Sequence, residues 1–171
     1  MSMANGFPEG EFYLLNRDAM LCLAANPGGT SSTQSLGPGG GTIEYSTTEP
    51  PVVRLETPKP PSGNAFQGWY FDTSHLEYRP PNNYLVSRMK AASMGHFALQ
   101  VETEWETEHD SLHMWGVGRS DVSTWQADDG YLFHTEKPDS VLTIMDRDTE
   151  PRIGMLPRGR AHQRWHFIPF P

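Results

Sequence analysis

Apolar side chains recur at alternate positions in short runs along this chain, and no window sustains a helical period of them. Each run is bounded by Gly, Pro, Asn or Asp, the residues that turn a chain between strands. The pattern predicts strands over Glu11–Asn16, Met20–Ala24 and Val52–Glu56, then over Asn83–Ser87, His96–Glu102 and Ser111–Val117. A third set follows over Gly130–His134, Ser140–Met145 and Arg152–Leu156. Such alternation suits strands with one face on a core and the other toward solvent.

Each set is followed by a short stretch around a tryptophan: Phe66–Phe71 with Trp69, Val122–Trp125, and His162–Phe167 with Trp165. Three passes of four strands give an expected twelve strands in one domain over residues 1–171, with repeats at 9–72, 78–127 and 129–170. Gln67-Gly68-Trp69 and Gln163-Arg164-Trp165 share a Gln-x-Trp motif, of which Ser123-Thr124-Trp125 keeps only the tryptophan.

On these motifs the chain resembles the ricin-B-like lectin family, over nearly its whole length. The resemblance implies an all-β fold, the β-trefoil. In it, one indole per repeat fills the core near a pseudo-threefold axis, and the glutamine amide serves backbone groups where the chain turns. Closing a barrel also removes the exposed edges that many short strands would otherwise present.

Residues 26–51 interrupt the pattern with Pro27-Gly28-Gly29, a Ser/Thr run and Gly37-Pro38-Gly39-Gly40-Gly41. They read as a flexible surface insertion with room for a short strand at Thr42–Ser46.

Composition narrows the function. The 16 glycines and 15 prolines favour many short elements. With 21 acidic against 13 basic side chains the formal charge is −8, which repels phosphate backbones and argues against nucleic acid as a partner. No stretch approaches the roughly 18 apolar residues that span a bilayer. Residues 1–10 lack the basic start and apolar run of a secretory signal. Cys22 is the single cysteine, so no internal disulfide forms, and its apolar surroundings suit a buried thiol. A cytoplasmic protein is the expectation, and a homo-oligomer stays open.

In ricin-B-like lectins each repeat can hold a shallow sugar site. The resemblance implies an acidic residue after the second strand, an aromatic platform on the third, and an amide before the closing tryptophan. Counting back from the tryptophans puts the second repeat's set at Gln100, Trp115 and Asp121. The same count gives Lys59 and Cys22 in the first repeat, and Met155 and Thr143 in the third, with Asp146 and Gln163 as the nearest polar groups. The family's galactose-binding set is intact in none of the three. Trp115 is therefore either a sugar platform or an indole packed in the core.

Other patterns carry less. Glu102, Glu104, Glu106 and Glu108 share one face of a strand as a solvated hairpin tip would. His109 and His113, like His162 and His166, lie four apart, about 13 Å on a strand and too far to share a metal. Neither a nucleophile elbow nor a phosphate-cradling loop is present, so no catalytic residue, cofactor or metal is expected. Two readings remain. One is a lectin that binds glycans or glycoproteins. The other is a protease inhibitor that offers its Gly/Pro-rich insertion to a protease cleft, as some β-trefoil inhibitors offer a loop.

Overall fold

The computed structural model describes residues 3–26, 35–36, 43–45, 51–61, 66–73, 83–91, 95–102, 111–117, 122–145 and 151–170. All regular structure among them is strand. In chain order these are β1 (Met3–Ala4), β2 (Phe7–Pro8), β3 (Glu11–Asn16), β4 (Leu21–Asn26), β5 (Ser35–Leu36), β6 (Ile43–Tyr45), β7 (Val52–Glu56) and β8 (Trp69–Asp72). The second half contains β9 (Tyr84–Ala91), β10 (Gly95–Glu102), β11 (Ser111–Gly116), β12 (Trp125–Asp128), β13 (Tyr131–His134), β14 (Ser140–Met145), β15 (Arg152–Pro157) and β16 (His166–Pro169).

Pairing follows a repeating plan. The second strand of each set pairs antiparallel with the third: β4 with β7, β10 with β11, and β14 with β15. The last strand of each set pairs with the first of the next: β8 with β9, β12 with β13. Then β16 returns to β3, joining the last set to the first.

Two expectations needed revision. The tryptophans were read inside or at the end of the closing stretch, yet Trp69 and Trp125 open β8 and β12, and Trp165 immediately precedes β16. The closing strands therefore run further C-terminal than their alternation suggests, because the indole is anchored where the chain enters the strand. The expected twelve strands are also exceeded, because β1, β2, β5 and β6 add to them; β6 falls within the short strand expected at Thr42–Ser46, forms a ladder with β5 and lies parallel to β9. Residues 27–34, 37–42 and 46–50 lie outside the described set.

The core repeats as the pairing does. Trp69, Trp125 and Trp165 are almost completely buried and share one apolar cluster. Each indole N–H donates to a leucine carbonyl on the second strand of its set: Trp69 Nε1 to Leu23 O (2.9 Å), Trp125 Nε1 to Leu99 O (2.9 Å) and Trp165 Nε1 to Leu142 O (3.1 Å). Satisfying the N–H is the condition for burying so large a ring without penalty. Each first strand adds a Tyr-Leu pair, Tyr13-Leu14, Tyr84-Leu85 and Tyr131-Leu132, with all three leucines fully buried. At the N-terminus the turn between β1 and β2 seats Phe7 in the core, stacked 4.5 Å from Phe71. Gly6 there adopts φ +86°, and a side chain would run into the Ala127 carbonyl.

Candidate functional site

The closing amides are structural anchors. Gln67 Oε1 accepts from Lys59 N (3.0 Å), while its Nε2 donates to Glu56 Oε1 (3.1 Å) and Thr57 O (3.0 Å). Gln163 repeats this at the far end: Oε1 accepts from Arg160 N (3.0 Å), and Nε2 donates to Thr143 Oγ1 (3.1 Å) and Pro157 O (2.7 Å). Both amides are buried.

The second set lacks this glutamine and solves the same problem with two other side chains. Ser123 N donates to Gln100 Oε1 (2.6 Å), and Ser123 Oγ accepts from Val101 N (3.1 Å). Gln100, 6% exposed, is thus one partner in a buried polar pair that ties β10 to the entry of β12.

Trp115 sits elsewhere. Along β11, Leu112 and Met114 turn into the core, so Ser111, His113 and Trp115 occupy the opposite face. Trp115 is half-buried there, with Ala98 as its cross-strand partner; His113 is exposed opposite Gln100. His113 Nε2 lies 2.8 Å from Ser111 Oγ and 3.4 Å from Glu102 Oε2. Ala98 belongs to a small outer cluster with Val86 and Val122, flanked by Tyr70, Tyr84 and Val117. A polar group (His113, Ser111, Glu102) and an indole therefore share one strand face. That combination could have been read from the period-two spacing of Ser111, His113 and Trp115, but counting from the closing tryptophan passed over it. Asp121, the third expected member, lies outside the described residues, as do His109 and the acidic run beyond Glu102.

Register shows which residues correspond across the sets. Leu23, Leu99 and Leu142 are equivalent through the indole bonds, and their cross-strand partners are Leu55, Met114 and Met155. The positions matching Trp115 are therefore Glu56 and Leu156, not the Lys59 and Met155 obtained by counting. Connections of unequal length before each closing segment displaced the count. Those matching Gln100 are Ala24 and Thr143; Thr143 is as counted, and Cys22 lies two residues from the slot expected near it. Glu56 is held by Asn26 Nδ2 (3.1 Å) and Gln67, and Thr143 Oγ1 donates to Val141 O (2.8 Å). Only the second set presents an aromatic ring at this position.

Two concavities flank these strands. One, of about 420 Å³, is lined by Tyr13, Leu15, Cys22, Pro58, Lys59 and Ile168. Tyr13 donates its hydroxyl to Lys59 O (2.7 Å) at its wall. Burial, reinforced by Glu56, pushes the Cys22 thiol up to about 11, which keeps it protonated and unreactive at neutral pH. The other, of about 570 Å³, opens where β7, β11 and β15 converge, over Val53, Leu112 and Ile153. No group of three or more His, Cys, Asp or Glu among the described residues could hold a metal ion. No helix among them is long and apolar enough to cross a membrane.

Compared with solved structures, the all-β architecture is similar to that of several known domains. The chain is similar to an mdaA-1 domain solved in solution, at TM-score 0.63 and 18% identity over 99% of this chain and 97% of that one. It is also similar to the earthworm R-type lectin C-half in complex with GalNAc, at TM-score 0.51 and 17% identity over 94% of this chain and 98% of that one. A mutant earthworm lectin C-terminal domain in complex with 6'-sialyllactose matches at TM-score 0.52 and 15% identity, with the same coverage of both chains. No family model and no curated protein sequence matches. At these identities the likeness is one of fold alone, an all-β fold shared with the earthworm lectin domains.

Proposed function

We propose that the chain is a β-trefoil lectin that binds glycans without catalysis, through one main site on the outer face of the second repeat. The observation that carries this reading is an indole set on an outer strand face. Trp69, Trp125 and Trp165 lie in the core, and Trp115 stands half-buried on the opposite face of β11 beside exposed His113. The apolar C–H face of a pyranose needs such a surface, and its hydroxyls need polar groups at the rim. Trp115 serves as the platform. Gln100 stands at the family's acidic position, and its buried pairing with Ser123 suits it to brace the site as much as to touch a sugar. Asp121 completes the set as the polar group before the closing tryptophan. The three-set pairing plan and the ring formed by β16 on β3 support the trefoil arrangement. The earthworm lectin neighbours, with GalNAc and 6'-sialyllactose in their complexes, support a glycan as the ligand class. The inhibitor reading rests on the insertion at 26–51, most of which lies outside the described residues.

A shallow site of this kind gives modest affinity, since one stacked face and a few hydrogen bonds compete with water. The test is a glycan array followed by calorimetry on the wild type and Trp115→Ala. Loss of glycan binding in a variant that keeps its near-UV spectrum is expected. Unchanged binding would remove Trp115 from the site, and a wild type that binds no glycan would overturn the reading.

A further inference from the structure

The third set has a feature that neither the fold nor the Trp115 site uses. Tyr131, at the start of β13, lies under two guanidinium groups, with the Arg158 and Arg164 carbons each 4.9 Å from its ring centroid. Arg158 also lies 5.1 Å from the Phe133 centroid. The two cations share one ring, so at most twice that distance separates them, and their repulsion is offset by the ring faces rather than by two acids. Asp129 Oδ2 holds one edge of Arg164 at 3.2 Å, and Arg164 Nη2 reaches the Tyr131 hydroxyl at 3.4 Å. Arg158 uses only its Nε, donated to Pro138 O at 3.2 Å, so among the described residues its two terminal nitrogens have no hydrogen-bond partner. Arg160 lies exposed between them on the same segment.

The segment that presents these cations is fixed. Gln163 accepts from Arg160 N and donates to Pro157 O; Ile144 N donates to His162 O (3.1 Å), and Trp165 N to Gly130 O (2.8 Å). Gly159 at φ +98° and His162 at φ +60° set its course. A chain of formal charge −8 therefore gathers Arg158 and Arg164 over one ring, with exposed Arg160 between them in sequence on a hydrogen-bonded turn. Stacked, pre-oriented guanidiniums lose little freedom when they grip a planar or tetrahedral anion.

We infer that Arg158, Arg164 and Arg160 form a second binding site, specific for the sulfate or carboxylate groups of an acidic glycan. The site is separate from Trp115, but it takes the glycan class from the proposed lectin function.

The test measures binding of dextran sulfate and of neutral dextran to the wild type, to Arg158→Gln/Arg164→Gln and to Trp115→Ala, at about 50 and about 200 mM salt. Expected is binding of dextran sulfate alone, weakened by salt, lowered on the order of tenfold or more in the arginine variant and unchanged in Trp115→Ala. Equal binding by the wild type and a folded arginine variant overturns the site, as does failure of the wild type to bind dextran sulfate at the lower salt. If the double variant loses its near-UV spectrum, Arg160→Gln carries the same comparison, because its exposed side chain supports nothing in the fold. A single-stranded oligothymidylate that binds more tightly through the same arginines would overturn the glycan class. A neutral-glycan array on the same proteins separates the two proposals. Neutral binding lost in Trp115→Ala, with no response to dextran sulfate, sinks this site and leaves the lectin reading; the converse leaves this site and removes the Trp115 platform.

Discussion

The four tryptophans among the described residues serve different purposes, and their surroundings divide them. Trp69, Trp125 and Trp165 each bury a full indole and donate it to a leucine carbonyl, so truncation leaves both a cavity and an orphaned acceptor. Replacing Trp165 by Ala is expected to cost about 3–5 kcal/mol in urea unfolding. Trp115→Ala should cost less than about 1 kcal/mol, because its ring lies outside the main core. Equal losses for the two would show that Trp115 is a core residue. Two further side chains link structure to pH. Burial raises the Cys22 thiol to about 11, and burial with nearby Asp72 and Glu11 raises the Tyr70 phenol to about 12. In the folded chain both keep a proton that the unfolded chain releases above its ordinary 9.0 and 10.0. Stability is therefore intact below pH 9 and falls as pH rises toward 11 and 12. Urea midpoints measured between neutral and strongly alkaline pH should decline, and Tyr70→Phe should flatten the upper part of that decline. A midpoint independent of pH over this range would show that neither proton is held by folding.

At the scale of elements, the joints between strands carry the stability that short strands lack on their own. Gln163 fastens the turn after β15 to β14 through three hydrogen bonds, so Gln163→Ala strands buried partners and should cost about 1–3 kcal/mol. Gln100→Ala should cost a similar amount, since it orphans Ser123 N, whereas a residue that served only a ligand would leave unfolding unchanged. That measurement separates bracing from recognition for Gln100. Gly6→Ala is a third lever: its Cβ collides with a backbone carbonyl, and the positive φ disfavours any side chain. The strain should dislodge Phe7 and lower the thermal midpoint, which differential scanning calorimetry would read. The alternation of residues made nine of these strands legible beforehand to within a few residues. The placement of the closing strands was less legible, because it depends on where an indole is anchored rather than on any period.

For the whole molecule, ladders such as β16 on β3 join residues from opposite ends of the chain, so folding has to close long loops before these contacts form. Refolding on the millisecond-to-second scale is expected by stopped-flow tryptophan fluorescence; microsecond refolding would contradict a topology this non-local. The sequence by itself determined the all-β character, the bounds of nine strands to within a few residues and the identity of the buried tryptophans. These follow from local alternation, turn residues and the size of an indole, which any fold of this chain must accommodate. Tertiary structure alone decided which residues correspond across the sets. Connections of unequal length shift residues against one another, so only register shows that Glu56 and Leu156, rather than Lys59 and Met155, stand where Trp115 stands. Burial turned Gln100 inward onto Ser123 while leaving the indole of Trp115 half outside. The gathering of Arg158 and Arg164 on Tyr131 likewise had no signature along the chain, because a ring and two cations from separate segments meet only when β13, β15 and the entry to β16 pack together.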